Sequence, residues 1–295
     1  MASFIMAGRI QAAIFVVLST LISLVLPPLI VFSNAAIALI TLRKGWQEGI
    51  VYTLLATFTL VLVSILLEQT AGSGLIAGLA TWLPMVLIAS TLAMTQSWNR
   101  TLQLVLVLGT AGVILFHFVQ TDATAFWKPV LETLKPALQQ AYQLSEAKLD
   151  ETINNAAGWM TGTFAAALAV ITIISLIIAR NWQALLYNPG GFGEEFRQIM
   201  IGKQAAIALV VAIAVAVVTG NQLIIELIMV GVSVFMFQGL SLAHALVKQR
   251  GMKSFWLIGL YVFMFLLLVQ MIVLLATFAI IDNFVDVRNK IANKE

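Results

Sequence analysis

Few side chains in this sequence are placed to do chemistry. Glu68, His117, Glu226 and His244 are the ionisable residues that fall within, or at the ends of, long apolar runs. A charge carried into hydrocarbon costs several kcal/mol, so each is a candidate functional residue by default. Glu68 closes one run, His117 nearly closes another and Glu226 opens a third. Alternating crossings carry all three toward one outer face. Converging helix ends would put two carboxylates and an imidazole around an outward depression, suited to a cationic or polyhydroxylated ligand or to proton transfer. Helix ends that stay apart would leave each side chain at headgroup level, touching water. No two candidate ligands share a helix at three- or four-residue spacing, so no metal centre is indicated. The absence of cysteine excludes disulfides, thiolate metal sites and cysteine nucleophiles. No cofactor is expected.

Two denser motifs belong to the opposite, inner face. The first is a turn, Asn188-Pro189-Gly190-Gly191-Phe192, followed by Gly193-Glu194-Glu195-Phe196-Arg197. Proline and glycine pre-set the turn, and a short helix follows with its acids at the positive N-terminal end. Glycine-rich turns can cradle phosphate. Acids directly after the turn, and no Lys-Ser/Thr pair, argue against a nucleotide loop. The expected element is a cytoplasmic elbow (Asn188, Pro189, Gly190, Gly191, Phe192, Glu195) that offers a docking surface. The second motif contains Gln238, Ser241, His244 and Lys248. Three- and four-residue spacing puts Ser241, His244 and Lys248 on one helix face, with Gln238 just upstream. They form either a polar seam reaching the cytoplasm or hydrogen-bonding glue between helices. Ser241 and His244 have no assignable carboxylate or oxyanion hole, so there are no catalytic residues and no enzyme is expected.

The elements that must position these residues are apolar. Hydrophobic residues make up 61% of the 295 and charged ones 10%. A water-soluble fold could not bury that surface, so the surrounding solvent is lipid. Nine runs are readable: 10–26, 29–42, 50–67, 75–94, 101–118, 158–179, 204–219, 223–247 and 255–281. The expected fold is all-α, a polytopic transmembrane helix bundle of about eight or nine membrane segments in one domain. Residues 10–118 and 158–281 supply the N- and C-terminal helices, and 282–295 a short polar tail. The first two runs are short and broken by Pro27-Pro28, as two thin spans or as one span plus a re-entrant half-helix. Residues 120–157 alternate apolar and charged positions at helical spacing and read as an amphipathic interfacial segment.

Basic residues bear on orientation. With one crossing per run, one side receives Arg9, Arg43, Lys44, Arg100, Arg180, Arg197, Lys203, Lys248, Arg250 and Lys253. The other receives Lys128, Lys135 and Lys148, together with Arg288, Lys290 and Lys294 of the tail. The bias favours a cytoplasmic N-terminus, against which the basic tail argues; a re-entrant 29–42 run would instead put the N-terminus outside and leave every later span as assigned. The first apolar run is read as a retained helix, because another follows it directly after Pro27-Pro28. Trp46, Trp98, Trp159, Trp182 and Trp256 fall at run ends, as interfacial indoles do. Trp82 lies inside its run beside Pro84, where packing against a neighbour accounts for it. Small residues at four-residue spacing (Ala208, Ala212, Ala216 and Gly220; Gly74 and Gly78; Ala165 and Ala169) suit close helix packing or a subunit contact. The net charge of +3 forms no basic stripe with interleaved aromatics, so nucleic acid is not an expected partner.

The Asn188–Phe196 elbow, the Gln238–His244 segment and the closing Asp282-Asn283-Phe284-Val285-Asp286-Val287-Arg288 resemble the YybS-like family of uncharacterised bacterial inner-membrane proteins. That resemblance implies a bacterial inner-membrane location and no established activity. The Pro-broken start and the Arg43-Lys44-Gly45-Trp46-Gln47-Glu48-Gly49 stretch look more loosely like the substrate-binding S components of energy-coupling-factor transporters. Those proteins are six-helix bundles that pair with a scaffold protein and two ATPases. Nine runs, and a first helix without a docking alanine stripe, depart from that pattern, so no binding residues carry over. The leading expectation is a substrate-binding or permease-like subunit for a small polar molecule, lacking its own ATPase and relying on partner subunits. The rival expectation is a non-transport scaffold or regulatory subunit, docking partners through the elbow and interfacial helices.

Overall fold

Backbone amides in hydrocarbon have no water to bond, so this chain satisfies them within helices. The computed structural model describes residues 1–142 and 145–288, which contain fourteen α-helices and no strand. They are α1 Ala2–Ala7, α2 Arg9–Val25, α3 Ile30–Lys44, α4 Trp46–Leu66, α5 Ala71–Thr95, α6 Trp98–Val119, α7 Ala123–Glu132, α8 Lys135–Tyr142, α9 Glu146–Tyr187, α10 Gly191–Arg197, α11 Lys203–Thr219, α12 Gln222–Gln249, α13 Phe255–Leu266 and α14 Leu268–Val285. Six of them (α4, α5, α6, α9, α12 and α14) are long and apolar enough to cross a membrane, while α2, α11 and α13 are apolar but shorter. These helices fit an integral membrane protein. Side-chain caps mark several starts: Asp122 accepts from the Ala125 amide at 2.9 Å, and Asn221 from the Ile224 amide at 3.2 Å.

The N-terminal helices wrap a short buried one. Residues Ser33 to Thr41 of α3 are all buried, between α2, α4, α5 and α9. A 3-10 turn over Pro27–Leu29 joins α2 to α3. The start of α2 lies beside the start of α4, where Arg9 pairs with Glu48 at 2.5 Å and Tyr52 donates to the Arg9 carbonyl at 3.2 Å. Trp82 is fully buried and donates its indole N–H to Ser33 Oγ at 3.2 Å, a packing role. Gly74 and Gly78 let α5 lie on α4, since a Cβ on Gly78 would come within 2.7 Å of the Thr57 side chain. On α11 the small-residue stripe is divided: Ala216 is buried, whereas Ala208 and Gly220 are exposed.

The interfacial segment docks rather than standing apart. Helix α9 has 42 residues, about 63 Å at 1.5 Å per residue and roughly twice the hydrocarbon thickness. Its first turns therefore continue past the span, and α7 and α8 fold back on it. Trp127 donates to Thr161 Oγ1 at 2.9 Å, and Lys135 pairs with Asp150 at 2.7 Å. That second contact is solvent-screened, though it raises the Lys135 pKa above its ordinary value.

The last apolar run is not one helix. It breaks at Leu267 (φ −128°, ψ 51°) into α13 and α14. Tyr261 bonds His244, whose ring abuts Phe196, while Arg288 bonds the carbonyl of Arg197. A continuous helix would separate residues 261 and 288 by about 40 Å. The chain instead turns back, so Arg288 lies at the elbow end of the bundle, not on the opposite face as one crossing per run implies. Helix α14 then packs along α12 at Gly239, where an added Cβ would meet the Leu275 carbonyl oxygen at 2.2 Å. Backbone cannot swing aside as a side chain can. Gly239→Ala is expected to cost about 1–3 kcal/mol, read as a lowered unfolding midpoint in detergent.

Candidate functional site

At the end of the bundle away from the elbow, Glu226 sits on the second turn of α12 and is completely buried. Its Oε2 lies 2.6 Å from Nε2 of His117, near the end of α6. The His117 side chain is 24% exposed, so water reaches the pair only from the imidazole side. Glu226 Oε1 is buried and has no hydrogen-bond partner among the described residues. Gly162 of α9 makes this burial possible, because a Cβ there would stand 2.7 Å from Glu226 Cα and Cβ. Phe116, Phe126, Trp127 and Phe164 close the flank with ring centroids 5.1 to 5.8 Å apart. The imidazole and the carboxylate share one short hydrogen bond, and Oε1 keeps an unused acceptor. Glu68, by contrast, lies exposed in the α4–α5 turn at φ +57°, and its side chain touches neither partner. Two of the three candidate outer residues are thus brought together, in a closed contact.

The elbow end carries the larger polar construction. Gly190 takes a left-handed conformation (φ +90°), completing the Asn188–Gly190 turn. Helix α10 is then held on three sides. Arg180 of α9 grips Glu195 through Nε at 2.9 Å and Nη2 at 2.6 Å, a bidentate pair. Phe192 packs on Trp98 of α6 and on Phe196, and Phe196 meets the His244 ring edge-on at 5.3 Å. His244 Nε2 lies 2.9 Å from the Tyr261 hydroxyl.

Residues 198–202, which follow α10, leave helical geometry inside the protein, so side chains must take over their backbone bonds. Gln238 Oε1 accepts from the Ile201 amide at 2.8 Å, and Asn283 Oδ1 from the Gly202 amide at 3.1 Å. Gln103 donates to the Ile201 carbonyl at 2.7 Å, and Ser241 to that of Ile199 at 3.3 Å. Arg288 donates Nη2 to the Ile199 carbonyl at 2.8 Å and Nε to Asp282 at 3.0 Å. Asp282 is fully buried and also accepts from the Val287 amide at 3.1 Å. Burial pushes the Arg288 guanidinium below its ordinary pKa, and Asp282 partly restores it. Each of these backbone groups left unpaired would cost about 1–3 kcal/mol.

This clamp forms one wall of a cavity of about 630 Å³, lined by Glu194, Arg197, Gln198, Met200, Ala245, Lys248, Gln249, Asp286 and Arg288. The elbow residues Asn188, Pro189, Gly190, Gly191, Phe192 and Glu195 are not among its lining residues. The expected polar seam separates into three jobs. Gln238 and Ser241 hold backbone, His244 faces Phe196 and Tyr261, and Lys248 lines the cavity. Gln103, Arg180, Asp282, Asn283 and Arg288 were not among the site residues read from sequence. An amide inside an apolar run was the available signal for Gln103.

The chain matches no family model, no curated protein and no solved structure.

Proposed function

We propose that this chain is a multi-pass protein of a bacterial inner membrane that binds a small polar molecule as a substrate-binding or permease-like subunit, with the elbow end cytoplasmic. The carrying observation is the 630 Å³ cavity, whose wall is fixed by the Asp282–Arg288 clamp and bears cations and acids together. Lys248 and Arg197 supply donors for an anionic group, and Glu194 an acceptor. This site takes the place of the outer depression expected from sequence, since Glu226 is sealed. The chain performs no chemistry of its own in this reading, and energy would come from partner ATPase subunits. The YybS-like resemblance suits the location, and the looser S-component likeness suits a partnered subunit.

Thermal shift in detergent tests the site. A small anionic or zwitterionic ligand at a hundredfold its Kd should stabilise the protein by about 2.7 kcal/mol. Lys248→Gln should abolish most of that shift. Equal shifts in both proteins would remove the cavity from the account.

Orientation rests on where cations lie. Arg288 at the elbow end joins Arg9, Arg43, Lys44, Arg100, Arg180, Arg197, Lys203, Lys248, Arg250 and Lys253, while Lys128, Lys135 and Lys148 lie toward the other. Such a bias marks the cytoplasmic side. The chain has no cysteine, so single introduced thiols report without background. In intact cells an impermeant maleimide should label Asn221→Cys and leave Arg250→Cys unlabelled. The reverse pattern would invert the molecule.

The scaffold reading keeps one observation in its favour. The His117–Glu226 contact is filled rather than open, as a bundle built for docking through its elbow would be.

A further inference from the structure

We propose that the ligand of the elbow cavity is the headgroup of an anionic membrane phospholipid, whose acyl chain lies in the apolar groove between α9, α12 and the α13–α14 turn. The inference rests on the binding reading above, and puts the polar head of an amphiphile where that reading puts a small polar molecule. The groove measures about 830 Å³, and Ile174, Val232, Met236, Leu240, Met264 and Ile272 are among its lining residues. Along α12 it runs from Ile228 to Leu240, about 18 Å at 1.5 Å per residue. One leaflet of a hydrocarbon core of about 30 Å is about 15 Å deep, so the groove is as long as one acyl chain.

Its elbow end is marked by ring side chains with polar atoms. Phe196 and Tyr261 border the groove there, with His244 between them. Tyrosine and histidine suit the level where hydrocarbon gives way to headgroups. The two cavities are neighbours with no lining residue in common: Phe196 lines the groove and the next residue, Arg197, lines the polar cavity. On α12, Leu240 lines the first, and Ala245 and Lys248 line the second. One molecule reaching both must be apolar over a leaflet's depth and polar at its end. Beside that end Lys248 and Arg197 share the wall with the carboxylates Glu194 and Asp286, and the basic loop after α12 tips the local charge toward an anionic head. Lys248 and Arg197 line the cavity with no ion pair among the described residues, and Arg250 and Lys253 follow directly on the loop after α12. A phosphodiester fits them. Free phosphate offers the same head chemistry without the tail and is therefore a control.

The test uses the full-length protein, delipidated in detergent and titrated by native mass spectrometry. One lipid carries an anionic glycerol headgroup, a second a zwitterionic choline headgroup with the same acyl chains. The expected result is one bound lipid per chain, with the anionic one preferred about tenfold. Lys248→Gln should erase the preference and leave a bound lipid. Met264→Trp, on the outer wall of the groove, and Val232→Trp, on its inner wall, should each remove the bound lipid. Lipid binding unchanged in a folded groove variant, or no headgroup preference in the wild type, would overturn the proposal. Stabilisation by inorganic phosphate that Lys248→Gln abolishes, with no lipid bound, would overturn it too and leave the binding reading standing. Neither lipid nor phosphate acting on the wild type would overturn it as well, and leave the binding reading to its own thermal-shift test.

Discussion

Asp282→Ala lowers the unfolding midpoint in detergent by the equivalent of about 3–5 kcal/mol, the range for orphaning one member of a buried ion pair. The Arg288 side chain is 9% exposed and that of Asp282 0%, so water cannot replace the lost carboxylate. The loss extends beyond the pair. Arg288 also holds the carbonyls of Arg197 and Ile199, and an unbalanced guanidinium that moves toward solvent releases both. Residues 198–202 then lose part of the wall that defines the elbow cavity. Replacing both charges, Asp282→Leu with Arg288→Met, should recover much of the stability, because an apolar substitute for a buried pair is often neutral. Ligand binding should stay impaired in that double variant, since the carbonyls remain unheld. A single Asp282→Ala effect below about 0.5 kcal/mol, the range of ordinary surface substitutions, would show that the pair is solvated and the clamp loose.

The membrane helices were legible because hydropathy is a local property. Runs such as 101–118 and 223–247 differ from α6 and α12 by a few residues at each end. Direction of travel is not local. From Phe255 to Leu268 nearly every residue is apolar, and no proline or polar residue marks the reversal at Leu267. That one unreadable turn had two consequences. Hydropathy alone puts Arg288 at the wrong end, and places the Asp282–Arg288 pair in a polar tail rather than at the centre of a clamp. The polar residues of α12 were visible, but their task was not, because Gln238 and Ser241 serve backbone some 40 residues away in sequence. His117 and Glu226 were singled out on cost alone, since each is ionisable in an apolar run, and they meet. Glu68 met the same criterion, yet its position after α4 leaves it in an exposed turn.

Removing His117 should cost more than removing Glu226, although the two share one hydrogen bond. His117→Leu leaves a carboxylate with no partner on either oxygen, in a site that Gly162 and the aromatic flank close to water. A buried carboxylate without compensation costs about 3–5 kcal/mol. Glu226→Leu leaves an imidazole that can remain neutral and reach solvent through its exposed quarter, at about 1 kcal/mol. Glu226→Gln keeps the shape and one hydrogen bond and should be milder still. The double replacement, His117→Leu with Glu226→Leu, should return close to the wild-type midpoint, giving a coupling energy far from zero in a double-mutant cycle. Side chains resting separately at headgroup level would give two small, additive effects. A small effect of His117→Leu beside a larger one of Glu226→Leu would mean that a group other than His117 holds the carboxylate. The ordering of the two single variants thus separates a sealed intramembrane pair from two residues that merely end their helices near water.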